Sequence, residues 1–146
     1  MKIGIASDHR GYKLKEKLTK YLIKKGYDVI NYGTNSTESV DYSDYGIKLG
    51  EEYKQGSYDL GIGICGSGIG MSIACNKVNG VRCAKVDNEY DAKMARLHNN
   101  ANIIALASNK YFFEVKDIID VFIKTEFSNE ERHNLRINKL KDYEEK

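Results

Sequence analysis

The sequence predicts an α/β fold, a doubly wound parallel sheet of five strands with helices on both faces, on three observations. Short apolar runs alternate with longer segments of helical period, and the alternation recurs about every 25 to 30 residues, as βα units do. Glycine or Asn-Gly marks where helices end ahead of the next apolar run. The 146 residues suit one domain at the usual size of about 150, so residues 1–146 are read as a single unit with one core.

In chain order the strands are read at Lys2–Ser7, Tyr27–Tyr32, Tyr58–Cys65, Val81–Val86 and Asn102–Ala107. After the first, Leu14, Leu18, Tyr21 and Leu22 share one helical face, and Gly26 closes that helix. Asn79-Gly80 closes the helix that follows Cys65, and the helix containing Arg96 ends in His98-Asn99-Asn100 just before strand five. Val115, Ile118, Ile119 and Phe122 recur at i, i+3, i+4 and i+7, a second amphipathic cover for the sheet. From Ser128 the chain turns polar, with Asn129 as a cap and Glu130 to Tyr143 as a last helix lying over the surface. The whole is Rossmann-like with a C-terminal helical tail.

Hydrophobic residues at 41% and charged residues at 30% are globular values, which excludes a disordered chain, a coiled coil or a collagen-like repeat. Lys and Arg number 23 against 21 Asp and Glu, so no global field favours nucleic acid or an anionic membrane. No run approaches the roughly 20 apolar residues of a membrane span, and Asp8, His9 and Arg10 interrupt any secretory leader. Cys65, Cys75 and Cys83 are an odd set without C-x-x-C or zinc spacing. A reduced cytoplasmic protein without a bound metal is the expectation.

Sheets of this kind bind ligands beyond the carboxyl ends of their strands. Strand one ends in Ser7-Asp8-His9-Arg10-Gly11 and strand three in Cys65-Gly66-Ser67-Gly68-Ile69-Gly70-Met71-Ser72. Three alternate glycines strip the second loop of side chains, so backbone N–H groups can converge on a negative oxygen at the positive end of the next helix. A dinucleotide loop, with Asp87 as ribose-binding acid, would need its third glycine where Met71 stands, and no Gly-Lys-Ser/Thr follows for a P-loop. Cys65 at the mouth of this loop reads either as a thiolate favoured by the helix terminus, able to act as base or nucleophile, or as a small buried residue ending a core strand. Cys75 and Cys83 read as interior only.

Asp8 and His9 form either an acid–base pair or a helix cap. His98 is either catalytic or a solvated imidazole stabilised by the helix dipole. Arg132 and Arg136, four apart on a helix, either grip one phosphate or are merely solvated. A single phosphorylated sugar would bring all of these together.

Asp8-His9-Arg10-Gly11, Asp41-Tyr42, Cys65-Gly66-Ser67-Gly68-Ile69-Gly70 with Ser72-Ile73-Ala74 and Asn76-Lys77, His98-Asn99, and Arg132-His133 with Arg136 together resemble ribose-5-phosphate isomerase type B, in order and essentially end to end. The resemblance implies a cofactor-free aldose–ketose isomerase that interconverts ribose 5-phosphate and ribulose 5-phosphate through an enediolate. Carried over by position, Cys65 is the proton-moving base, assisted by Ser67. The amides of Gly66, Gly68, Ile69 and Gly70 hold the enediolate oxygen. Asp8 and His98 help open the furanose, Tyr42 and Asn99 hold hydroxyls, and His9, Arg132 and Arg136 hold the phosphate. One branch of the family has a Glu base where Met71 stands, which leaves the role to Cys65. Where the family often carries a phosphate-binding Arg, this chain has Asn109 with Lys110 beside it. The resemblance further implies a homodimer or a tetramer with sites shared between subunits, His98 and Asn99 coming from the second. The alternatives are an isomerase of allose or galactose 6-phosphate, and a phosphosugar sensor that is not an enzyme.

Overall fold

The computed structural model describes all 146 residues. It contains β1 (Lys2–Ser7), α1 (Tyr12–Lys24), β2 (Asp28–Asn31), α2 (Tyr42–Lys54), β3 (Leu60–Cys65), α3 (Ile69–Cys75), β4 (Cys83–Lys85), α4 (Glu89–Asn99), β5 (Ile103–Ala107), α5 (Phe112–Lys124) and α6 (Glu131–Glu144). The five strands lie in the order β2-β1-β3-β5-β4 and every pairing is parallel. All carboxyl ends therefore lie at one edge of the sheet.

The two faces of the sheet differ in side-chain size. Ile3, Ile5, Ile62, Ile64, Ile104 and Leu106 form one face, buried with Leu18 and Leu22 of α1, Ala92 and Ala95 of α4, and Ile119 and Phe122 of α5. Each large apolar side chain fully buried in that layer contributes about 1.5 to 3 kcal/mol. Period-2 alternation puts glycine, alanine and cysteine on the opposite face, where Leu49 of α2 and Met71 and Cys75 of α3 pack. The small residues there are required for close approach: a Cβ on Gly63 would stand 2.6 Å from Met71 Cγ. A Cβ on Gly46 of α2 would stand 2.6 Å from the Cβ of Ala74 on α3, so these two helices touch almost backbone to backbone.

The strands are shorter than the apolar runs suggest. Tyr58, Val81 and Val86 are buried yet lie outside the ladders, because apolar character reports burial and not strand pairing. The Tyr58 hydroxyl, for example, donates to the Leu49 carbonyl at 2.6 Å. Asn129 does not cap α6: Glu130 is the N-cap residue, while Asn129, at φ 56°, accepts the Asn134 amide on its own O and Oδ1 at 3.0 and 2.8 Å. No helix is long and apolar enough to cross a membrane.

Candidate active site

At the carboxyl edge, Asp8 follows β1 directly and its amide donates to Ile64 O at 3.1 Å, which sets it beside Cys65 on the neighbouring strand. Asp8 is 5% exposed, and its Oδ1 accepts the amides of Arg10 and Gly11 at 2.9 and 3.0 Å. The carboxylate thus folds the entry to α1, and only one of its oxygens is used. Cys65 is 4% exposed, and the Gly68 amide points at its Sγ from 3.2 Å. Gly68 makes that turn at φ 77°, and a Cβ there would meet the Leu106 carbonyl carbon at 3.0 Å, so conformation and space both demand glycine. Ser67 is exposed, and its Oγ accepts the Ile69 amide at 3.2 Å. The amides of Gly66, Ser67 and Gly70 make no hydrogen bond within the chain, so they are available as donors.

The segment between β2 and α2 closes over this loop. Val40 shares its backbone with His9, its N–H donating to Nδ1 at 3.2 Å. Tyr42 opens α2, and its ring lies where a Cβ on Gly70 would come within 2.7 Å. Arg10 is exposed, and its guanidinium stands 3.1 to 3.2 Å from the Cβ position of Gly66. Sequence reasoning gave Arg10 no role; its position in the Asp8-His9-Arg10-Gly11 turn was visible, but the direction of its side chain was not. Lys110, beside the position where the family often carries an Arg, lies 3.6 Å from Asp87 Oδ1. Asp87 is also held by Lys85, and these two cations keep its carboxyl below the usual carboxylate range, Lys85 contributing most. Asn109 follows β5 at the same edge.

The remaining predicted residues lie elsewhere. Helix α4 leaves the carboxyl end of β4 and returns, so His98 and Asn99 at its C-terminus stand at the amino edge of the sheet. Arg82, just ahead of β4, anchors them there, donating to the carbonyls of Asn99 and Asn100 at 3.0 to 3.2 Å. Helix α6 crosses the same edge, tied to α4 by Ser128 N donating to Leu97 O at 3.0 Å and to the turn before β4 by Gly80 N on Glu144 Oε2 at 2.9 Å. Arg132 and Arg136 are exposed on α6, and Arg132 Nε donates to Glu130 at 2.9 Å. The His98 and His133 rings stack with centroids 4.4 Å apart and planes at 15°. His133 is 4% exposed, and burial, then the neighbouring imidazole of His98, pushes its basicity down. Its Nε2 is buried without a partner.

A strand of five or six residues spans about 16 to 20 Å, so one chain holds two separate groups: Asp8, His9, Tyr42, Cys65 and Ser67 at the carboxyl edge, and His98, Asn99, Arg132 and Arg136 at the other. The largest cleft, about 1000 Å³, opens at the amino edge between Asn76, Arg82, Asn99, Leu140 and Tyr143, away from Cys65. No cluster of three or more His, Cys, Asp or Glu side chains is arranged to hold a metal ion.

Residues 3–140 match the model of the ribose/galactose isomerase family. Ribose-5-phosphate isomerase B of Escherichia coli is 34% identical over 146 residues, covering 99% of this chain and 97% of that one. The structure of ribose-5-phosphate isomerase B from Clostridium thermocellum superposes at a TM-score of 0.96 with 49% identity, covering 99% of this chain and 98% of that one. The Mycoplasma genitalium enzyme with bound ribulose 5-phosphate superposes at 0.94 with 40% identity over 99% and 97% of the two chains. The chain belongs to the ribose/galactose isomerase family of sugar-phosphate isomerases.

Proposed function

We propose that this protein interconverts ribose 5-phosphate and ribulose 5-phosphate through an enediolate, with Cys65 as the base. The observation that carries the reading is Cys65 Sγ at the head of a loop whose Gly66, Ser67 and Gly70 amides are free, with Asp8 just past the end of the adjacent strand. Abstraction of a proton alpha to a carbonyl requires one base and donors for the forming oxyanion, and this loop offers both. In the aldose-to-ketose direction the Cys65 thiolate takes the proton from C2. The freed electron pair forms the C1–C2 double bond, and the negative charge collects on O1 at the free amides of Gly66, Ser67 and Gly70. The thiol then returns its proton to C1 as the O2 proton passes to O1, which balances the exchange. Ser67 assists at the loop mouth, and Asp8 helps open the furanose.

In this reading the second group of residues reaches the site from another copy of the chain. His98 then works with Asp8 in ring opening, Asn99 and Tyr42 hold hydroxyls, and His9, Arg132 and Arg136 hold the phosphate. The separation of the two groups across the sheet supports a shared site, since neither group is complete alone.

The test is a turnover assay on ribose 5-phosphate, allose 6-phosphate and galactose 6-phosphate, with and without EDTA and without nucleotide. Turnover of ribose 5-phosphate that survives chelation is the expected result. Turnover of a hexose phosphate only would move the substrate assignment, binding without turnover would make the protein a sensor, and loss in EDTA restored by a divalent ion would overturn the metal-free mechanism.

A further inference from the structure

Lys15 is the one lysine whose side chain is completely buried, at 0% exposure, and nothing in the proposed chemistry uses it. It lies on the Leu18 and Leu22 stripe of α1, where an apolar residue would be expected. A buried ammonium is costly unless its donors are used, and here they are. Nζ donates to Glu16 Oε1 at 2.8 Å and to Asn31 Oδ1 at 2.9 Å, with the Tyr12 ring centroid 5.5 Å away.

The Asn31 contact points toward the site. The same Asn31 Oδ1 accepts the Gly33 amide at 2.9 Å, closing a turn at the carboxyl end of β2. Gly33 O accepts the Ser7 amide and Thr34 N donates to Ser7 O, both at 2.7 Å, which locks this turn to the end of β1, one residue before Asp8. From there the segment runs to Val40, which holds His9, and to Tyr42 against Gly70. The Glu16 contact leads only to a partly exposed carboxylate.

We infer that Lys15 is a positioning residue for substrate binding: through Asn31 its ammonium sets the 31–42 segment so that His9 and Tyr42 stand over the Cys65 loop. The inference rests on the isomerase reading for what His9 and Tyr42 hold, but the geometry it describes does not. Because neither residue moves a proton, loss of the link acts on binding more than on the chemical step. Misplacement by a fraction of an ångström is enough to be felt.

Lys15→Met and Asn31→Ala cut the link from its two ends. Each is expected to raise KM for ribose 5-phosphate about tenfold while kcat stays within about threefold, and the double variant is expected to be no worse than the poorer single one. Glu16→Gln is expected to leave KM unchanged. Hydrogen exchange supplies the second readout: in both variants the Gly33, Thr34 and Val40 amides should exchange at least about tenfold faster while those of β3 and β5 keep their protection. A buried charge with a merely structural role would lower thermal stability and leave KM and the local exchange pattern as in the parent, and that result overturns the inference. Additive effects of the two substitutions on KM overturn it as well. If Lys15→Met does not fold, Lys15→Gln, which keeps a shorter donor without the charge, carries the same test on KM and exchange. An unsubstituted chain that isomerises no sugar phosphate defeats the isomerase reading alone, because the exchange pattern still decides what Lys15 holds.

Discussion

The two edges of the sheet carry polar groups in different ways. At the carboxyl edge free backbone amides stand with three short side chains, Asp8, Cys65 and Ser67, each at a strand end or within two residues of one, so the ladder positions them. At the amino edge the groups are long or aromatic side chains on helices, two exposed arginines and a stacked imidazole pair. The first arrangement suits a reaction whose charge develops at one atom, and the second suits holding a dianion that does not react. The difference predicts that loss of Cys65 at the carboxyl edge appears in kcat and loss of the arginines at the amino edge in KM.

Cys65→Ala should give the largest effect, lowering kcat by about two to four orders of magnitude, the scale of a lost general base, with KM for ribose 5-phosphate nearly unchanged. Equal turnover in variant and parent would remove Cys65 from the mechanism. Mixed dimers test whether the two edges cooperate across chains. When Cys65→Ala and His98→Ala chains are unfolded and refolded together, about half of all dimers are mixed, and each mixed dimer has one site built from unaltered residues, so activity should return to roughly a quarter of the parent. Recovery no greater than the average of the two variants refolded separately, with mixed dimers verified by mass, would place the site within one chain.

Arg136→Ala should produce a smaller change in the opposite parameter, a KM raised about tenfold or more with kcat less affected. An unchanged KM would mean that the phosphate is held elsewhere, and Arg10, whose guanidinium already stands over Gly66, becomes the next residue to replace. The smallest effect concerns pH. Burial and the adjacent His98 keep the folded basicity of His133 below its ordinary value of 6.5, against a weaker opposing pull from Glu130 and with Arg132 and Arg136 acting in the same direction as His98. The folded state therefore binds fewer protons than the unfolded one below pH 6.5. Stability from this group is complete above that pH and declines as the pH falls toward the folded value. The urea midpoint should drop between about pH 7.5 and about pH 5.5, and His133→Phe, which keeps a ring on His98 without a charge, should flatten part of that slope. An identical slope in the variant would show that other groups account for it.

Much of this was legible in the chain itself, for identifiable reasons. Apolar runs at βα spacing and the helical stripes of Leu14 and Val115 report local and near-local physics, so the five strands and five of the six helices can be read in order; α2 was not read, and α3 ends at Cys75, ahead of the Asn79-Gly80 expected to close it. Cys65, the glycine loop and Asp8 were legible because a parallel sheet places its chemistry at carboxyl ends. The exact strand ends were not, since Tyr58, Val81 and Val86 look like strand residues and are buried just beyond the strand ends. Nor was Lys15, whose place on an apolar stripe shows only that it is out of register with its own charge until Asn31 is seen to meet it.

The sequence by itself determined the fold class and the place of the glycine-rich loop after β3, because these depend on periodicity and on residues close in the chain. Only the tertiary structure decided that α4 carries His98 back to the far edge, that Arg10 lies over Gly66 and Lys110 on Asp87, and that the glycine face admits α2 and α3 to near backbone contact. Those outcomes depend on strand order and on side-chain direction, and residues tens of positions apart settle both through packing that no local pattern encodes.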